Sequence, residues 1–200
     1  MPRRYFKRYR MEYDLERQEP PAAVLPDGFK WVDWNDTTLE QHAVVKFRAF
    51  QGTVDADVFP SLATFSGCLS LMKAITGRVD FLPRATHLVV ATGLDALGPV
   101  PVGTIQSVAP IQQRAAIQNL GVVPEVRGYG LGRALIARSL IAMRAHGYAL
   151  ATLEVTARND RVVEMYRRLG FCKARTSYRS VKVTRQQSAL LDTVGVGVSR

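Results

Sequence analysis

Apolar and polar residues alternate strictly near the start of the chain. Between positions 8 and 15 every second residue is apolar, from Tyr9 to Leu15, and the residues between them are charged. A period of two is typical of a strand with one buried face, so this segment is predicted to cover a sheet edge or to contact a second copy. The Pro-containing stretch 19–28 then predicts a linker. Residues 1–27 are therefore predicted to be a basic N-terminal extension with an extra strand.

After this linker, helix-like apolar stripes and strand-like apolar runs follow each other without an internal repeat. Helices are predicted over about 39–50, from Pro60 to near Gly77, over 130–145 and over 160–169, and strands over 29–34, 87–91, 100–108, 115–123, 150–156 and up to about 184. The segment Asp36-Thr37-Thr38 is expected to cap the first helix, and Asn159 the last. The main domain is thus predicted to span 28–184, and 185–200 is predicted to be a tail.

Composition indicates a globular, cytoplasmic protein. The chain has 200 residues, 47% of them hydrophobic and 22% charged, which is ordinary for a folded domain. No apolar run approaches the roughly 20 residues of a membrane helix, and no secretory signal is evident. Two cysteines, Cys68 and Cys172, suit a reducing compartment. The three histidines lie far apart along the chain, so no metal site is inferred.

The positive charge is concentrated in the second half of the chain. Residues 1–100 carry 12 Lys/Arg and 12 Asp/Glu, whereas residues 101–200 carry 15 and 5, which accounts for the whole net charge of +10. A one-sided field of this kind attracts polyanions. Nucleic acid, a ribosome and a phosphate-rich cofactor all remain open on charge alone.

The segment Arg127-Gly128-Tyr129-Gly130-Leu131-Gly132-Arg133 lies between a predicted strand and a predicted helix. Glycines at such a place let main-chain N–H groups converge on an anion, and the helix dipole adds positive potential. The two flanking arginines would supplement a pyrophosphate site. A Rossmann site fits less well, because Arg133 stands where its third glycine or alanine belongs. A Walker A loop is excluded, because no Gly-Lys-Ser/Thr follows.

Three neighbouring segments together resemble the GNAT superfamily of N-acetyltransferases. The first runs from Leu120-Gly121-Val122-Val123-Pro124 to Arg127-x-x-Gly130-x-Gly132, and the others are Leu153-Glu154-Val155-x-x-x-Asn159 and Met165-Tyr166-x-x-Leu169-Gly170-Phe171. They cover about residues 116–172 in the family's order. The resemblance implies an α+β fold of the GNAT type, with a central, mixed, mostly antiparallel twisted sheet flanked by helices.

The same resemblance implies acetyl-CoA as acyl donor and a primary amine as acceptor. Glu154 would be the base that deprotonates the amine, and Tyr166 the acid that protonates the departing thiolate. The residues implied in cofactor binding are Leu120, Val122, Val123, Arg127, Gly128, Tyr129, Gly130, Leu131, Gly132, Arg133, Asn159 and Tyr166. For Asn159 the alternatives are capping its helix, contacting the pantetheine, or both.

The acceptor stays open between a protein N-terminus, a lysine and a small amine. Asp55 and Asp57 lie in the connection that borders the acceptor site in GNAT proteins, so they are candidates for binding a cationic substrate. A catalytically silent acyl-CoA-binding domain and a basic RNA- or ribosome-associated protein are the alternative functions. The chain is expected to be a monomer or a homodimer.

Overall fold

The computed structural model describes residues 3–93 and 98–182. The strands are β1 (Arg3–Asp14), β2 (Phe29–Asp33), β3 (His87–Ala91), β4 (Val100–Ile111), β5 (Arg114–Val122), β6 (Leu150–Thr156) and β7 (Cys172–Lys182). The helices are α1 (Leu39–Phe50), α2 (Val54–Val58), α3 (Phe65–Thr76), α4 (Leu131–Ala145) and α5 (Asp160–Arg168). The predicted tail 185–200 and the predicted domain end at 184 lie outside the described residues.

The described strands form one sheet in the order β2-β3-β4-β5-β6-β1-β7. Neighbouring strands are antiparallel, except that β5 and β6 are parallel. Helices flank the sheet on both faces. The predicted α+β class, with a central, mixed, mostly antiparallel sheet between helices, is therefore confirmed. No helix among the described residues is long and apolar enough to cross a membrane.

Strand β1 lies inside the sheet, where it covers the edge of β6 and is itself covered by β7; a contact with a second copy stays a prediction. It also begins earlier than predicted, because residues 3–7 pair with β7 alone. Its register places Arg8 opposite Thr156 and Arg10 opposite Glu154. Side chains on one face of β1 therefore stand beside those of β6, and the strand predicted for the N-terminal segment pairs within the sheet over residues 3–14.

Two glycines let helices approach the sheet closely from opposite faces. A Cβ on Gly121 of β5 would lie 2.9 Å from the Cβ of Ala49 in α1. A Cβ on Gly103 of β4 would lie 3.1 Å from Leu135 in α4. Because Gly103 is the cross-strand partner of Val122, Gly103 and Gly121 face opposite sides. The layer of α1 therefore lies on one face of the sheet and α4 on the other.

The local signals at the helix ends differ partly from those predicted. Asn35, and not the Asp36-Thr37-Thr38 segment alone, caps the short 3₁₀ turn before α1, where its side chain accepts the Thr37 N–H at 3.0 Å. Thr64 caps α3 by accepting the Gly67 N–H at 3.1 Å, and Gly77 ends that helix as predicted. The short helix α2 lies where the sequence indicated only a connection.

Candidate functional site

The parallel strands β5 and β6 are paired only along their first halves. The ladder joins Arg114–Ile117 to Leu150–Leu153 and does not continue. On its other side, β5 has a bulge at Gln118, because Gln106 of β4 faces Asn119 while Ser107 faces Ile117. Bulges bend the strand that carries them. A gap therefore opens between the second halves of β5 and β6.

Main-chain N–H groups of β5 point into this gap. The Val123 N–H donates to Val102 O at 2.9 Å on the β4 side. Because successive residues of a strand alternate in direction, the N–H groups of Leu120 and Val122 point away from β4. Both residues line the cavity that fills the gap. Val123, predicted as a cofactor contact, is instead fully buried in the core with its N–H already bonded.

The gap is part of a cavity of about 1130 Å³ that runs from the start of α4 to the segment joining α1 and α3. Its walls are partly apolar, with Phe50 and Leu71 on the helical side. Arg158 and Arg161, at the start of α5, add positive charge to the wall. A cavity of this size exceeds what most drug-sized ligands need, and its charge suits a ligand with several phosphates.

The Gly-rich turn forms the start of α4 and one end of the cavity. Gly128 and Gly130 have φ of +92° and +81°, which other residues rarely adopt, and a Cβ on either would meet nothing within 4 Å. Gly130 is the N-cap of this 15-residue helix and has no side chain to bond its first-turn N–H groups. Gly130, Leu131, Gly132 and Arg133 line the cavity. Free N–H groups at a helix start bind phosphate well.

Two residues of the turn have side chains that contact other parts of the protein. The guanidinium of Arg127 donates to Val122 O at 3.1 Å and to Ala49 O at 2.8 Å. Arg127 borders the cavity, but these bonds tie β5 to the end of α1. Tyr129 does not line the cavity; its ring packs 5.7 Å from that of Phe29 and is 60% exposed.

Tyr166 and Asp55 both line the cavity. Tyr166 is 6% exposed and lines the cavity. Burial, and secondarily the charge of Asp55, raises the pKa of Tyr166, so its phenol keeps its proton. Asp55 also lines the cavity and accepts the Thr156 hydroxyl at 2.7 Å. A proton donor and a carboxylate therefore face one space.

Arg8 of β1 also lines the cavity, although no local pattern of residues indicates it. Its Nε lies 3.3 Å from Glu154 Oε2, and its Nη1 donates to Thr156 Oγ1 at 3.0 Å. The guanidinium also stacks 4.8 Å from the ring centre of Phe59. Glu154 lines the cavity with 57% of its side chain exposed. One arginine thus fixes Glu154 directly and Asp55 through Thr156.

Asn159 and Asp57, two further residues predicted to belong to the site, lie in different surroundings. Asn159 is at the N-cap of α5, but its side chain makes no capping bond, so the expected cap is absent while the side chain borders the cavity. Asp57 does not line the cavity and lies 4.0 Å from Arg4 at the surface. The structure therefore separates Asp55, which faces the site, from Asp57. Within 3–93 and 98–182, no group of three or more His, Cys, Asp or Glu is arranged to hold a metal ion.

The chain matches a family of known proteins and several individual relatives. Residues 71–171, about half of the chain, match the model of the "Acetyltransferase (GNAT) family". A mycothiol acetyltransferase of Propionibacterium freudenreichii is 29% identical over 185 residues, covering 90% of this chain and 55% of that protein. Another, from Beutenbergia cavernae, is 30% identical over 154 residues, covering 75% of this chain and 47% of that protein. The chain thus spans about half the length of these relatives.

The fold is similar to that of solved acetyltransferases. A GCN5-related N-acetyltransferase from Sphaerobacter thermophilus superposes with a TM-score of 0.63 and 22% identity, covering 89% of this chain and 51% of that one. At this identity the likeness concerns the fold alone. Both comparisons agree with the resemblance found in the motifs.

Proposed function

The chain belongs to the GNAT acetyltransferase family, and on that premise we propose that it transfers an acetyl group from acetyl-CoA to a primary amine. One observation carries the proposal. The Gly-rich turn at the start of α4, called the glycine cradle below, opens into the same cavity as the gap between β5 and β6. The Tyr166 phenol faces that cavity too. An anion site, a row of main-chain donors and an acid are thus aligned along one cavity, as acyl transfer from a phosphate-bearing thioester requires.

The residues present fit the donor. Acetyl-CoA supplies an activated acetyl thioester on a pantetheine arm with a pyrophosphate. The N–H groups in the first turn of α4, from Leu131 to Arg133, would hold the pyrophosphate. The N–H groups of Leu120 and Val122 would hold the arm in the gap as an added strand does, and would face negative charge on the thioester oxygen.

The cavity residues divide the proton transfers between them. An alkyl amine with a pKa of about 10.4 is mostly protonated at neutral pH. A base must therefore take a proton from the amine before the amine can attack. Glu154, held by Arg8, is proposed as that base. Tyr166 is proposed to donate its proton to the departing sulfur, because burial keeps the phenol protonated.

Asp55 is proposed to bind the acceptor's ammonium group before this proton is removed. Its carboxylate faces the cavity, and among the described residues it has no cationic partner within 4.0 Å. Two relatives that match over 75% and 90% of the chain are named mycothiol acetyltransferases, which supports a small-molecule acceptor over a protein. We therefore propose a small aliphatic primary amine as the acceptor class.

Thiol release from acetyl-CoA tests the proposal. The purified chain is incubated with acetyl-CoA and a panel of amines that includes small aliphatic amines, aminoglycosides and peptides with free N-termini. We expect free thiol to appear with at least one small amine, and acetylated product to match it. Tyr148→Phe, at a tyrosine outside the cavity, is the matched control for Tyr166→Phe. Binding of acetyl-CoA without turnover on any amine would favour a silent binding domain instead.

A further inference from the structure

A fully buried lysine lies under the bulge of β5. Lys46 of α1 is 0% exposed, and its Nζ donates to Gln106 Oε1 at 2.7 Å and to Asn119 Oδ1 at 2.6 Å. Gln106 and Asn119 are cross-strand partners on β4 and β5. Across the part of the chain that the structure describes, no carboxylate lies within 4.0 Å of Nζ. The amine is thus held by two neutral amides.

The surroundings of Lys46 do not compensate a positive charge. The titratable groups that face it are His42 of α1 and Cys68 of α3, while β4 and β5 contribute only amides and the hydroxyl of Thr104. Burial lowers the pKa of His42 to about 3 and raises that of the Cys68 thiol, so both are neutral near pH 7. Burial also lowers the pKa of Lys46 to about 7.

A buried amine of this kind costs stability. A buried ammonium group without a neighbouring anion loses its hydration, and no ionic interaction replaces it. Apolar replacements of buried charged groups are often neutral or stabilising. Stability of the fold therefore does not account for a lysine at position 46. Perturbed ionisable groups of this kind cluster at functional sites, so the question is what Lys46 contacts there.

Lys46 is connected to the cavity by its hydrogen bond to Asn119. It does not line the cavity itself, but Asn119 does. The Nδ2 of Asn119 donates to the carbonyl of Gln118, the bulge residue. Lys46 fixes Oδ1 of Asn119 and thereby the direction of its Nδ2. The next residue is Leu120, whose N–H points into the gap.

We propose that Lys46 is a positioning residue for acetyl transfer, which holds Asn119 and the bulge at Gln118 so that the Leu120 N–H stays directed at the acyl group. This inference rests on the proposed function. The cradle that binds the phosphates lies at the start of α4 and is not in contact with Lys46. Loss of Lys46 therefore affects the chemical step more than the binding of CoA.

A double-mutant cycle tests the proposal. Lys46→Met keeps the length of the side chain and removes both donors; Asn119→Ala removes its partner; Lys73→Met, at an exposed lysine of α3, is the control. We expect Lys46→Met to lower kcat by about ten- to a hundredfold, as a displacement near 1 Å does, while the Kd for CoA changes by less than about threefold. The double variant should resemble Asn119→Ala. Additive losses in kcat, or an equal loss for Lys73→Met, would overturn the proposal.

A second measurement does not depend on turnover. Hydrogen–deuterium exchange of residues 117–122 should become faster in Lys46→Met and stay unchanged in Lys73→Met, because the bulge loses its support. Unchanged exchange in Lys46→Met contradicts the proposal even if the wild type acetylates amines. If the wild type acetylates none, the proposed function fails, and exchange still decides whether Lys46 holds the bulge.

Discussion

The buried amine of Lys46 makes the stability of the fold depend on pH in a defined window. Its pKa of about 7 in the folded protein is about 3.5 below the ordinary lysine value of 10.5, which corresponds to about 5 kcal/mol. The unfolded chain binds this proton more tightly, so the amine destabilises the fold fully below pH 7. As the pH rises from 7 to 10.5 the penalty decreases, and above 10.5 it disappears.

Replacement by methionine isolates this effect. Lys46→Met leaves Gln106 Oε1 and Asn119 Oδ1 without a donor, at a cost of about 1–3 kcal/mol each that does not vary with pH. The replacement also removes the amine whose protonation makes the stability depend on pH. The free energy of unfolding of the variant minus that of the wild type is therefore expected to fall by about 3–4 kcal/mol between pH 7 and pH 10.

Urea denaturation followed by tryptophan fluorescence at pH 7, 8, 9 and 10 measures this difference. Groups that do not face Lys46 titrate equally in both proteins, and Lys73→Met should track the wild type at every pH, because its side chain is exposed. A constant difference between Lys46→Met and wild type across the four pH values would refute the reasoning, because it would mean that Lys46 keeps an ordinary pKa when folded.

The catalytic assignments give three further predictions. Tyr166→Phe should lower kcat by about a hundredfold and leave acetyl-CoA binding unchanged; equal kcat and pH profile in variant and wild type would exclude Tyr166 as the acid. Glu154→Gln should lower kcat by about a hundredfold or more, and an unchanged kcat would exclude Glu154 as the base. Asp55→Asn should raise the KM for the amine about tenfold while the KM for acetyl-CoA stays constant, and the reverse pattern would contradict its role.

Local spacing predicted most of the elements from the sequence. The predicted bounds of β6 and α1 agree with the structure, and the Gly-rich turn lies between a strand and a helix as predicted. These signals depend on residues only a few positions apart. The family and the fold class could therefore be predicted, since their motifs lie within one stretch of the chain.

The contacts that hold Glu154 and Asp55 in the cavity could not be predicted, because they join distant segments of the chain. Arg8 reaches Glu154 across 146 positions, and nothing near Arg8 in sequence indicates that partner. Lys46 was not singled out either, since its amide partners lie on β4 and β5. The packing of the Tyr129 ring against Phe29 likewise joins distant segments of the chain.

Several expectations from composition stay predictions. A cytoplasmic location, the choice between monomer and homodimer, and binding to RNA or a ribosome depend on properties outside a single chain. Arg133, Arg158 and Arg161 line the cavity that is proposed to bind the cofactor. Binding of a ligand with several phosphates would account for this positive charge. Charge alone therefore does not favour a nucleic-acid partner.

Calorimetric titration with acetyl-CoA tests most directly whether the glycine cradle is a cofactor site. Gly132 has ordinary backbone geometry, and a Cβ there would meet only Met165 Sδ at 3.6 Å, so Gly132→Leu places a side chain in the cavity without backbone strain. Arg144→Leu, at the other end of α4, introduces the same side chain away from it. We predict one-to-one binding by the wild type and by Arg144→Leu, and loss of binding in Gly132→Leu. Equal affinity of all three proteins, or no binding by the wild type, would contradict the account.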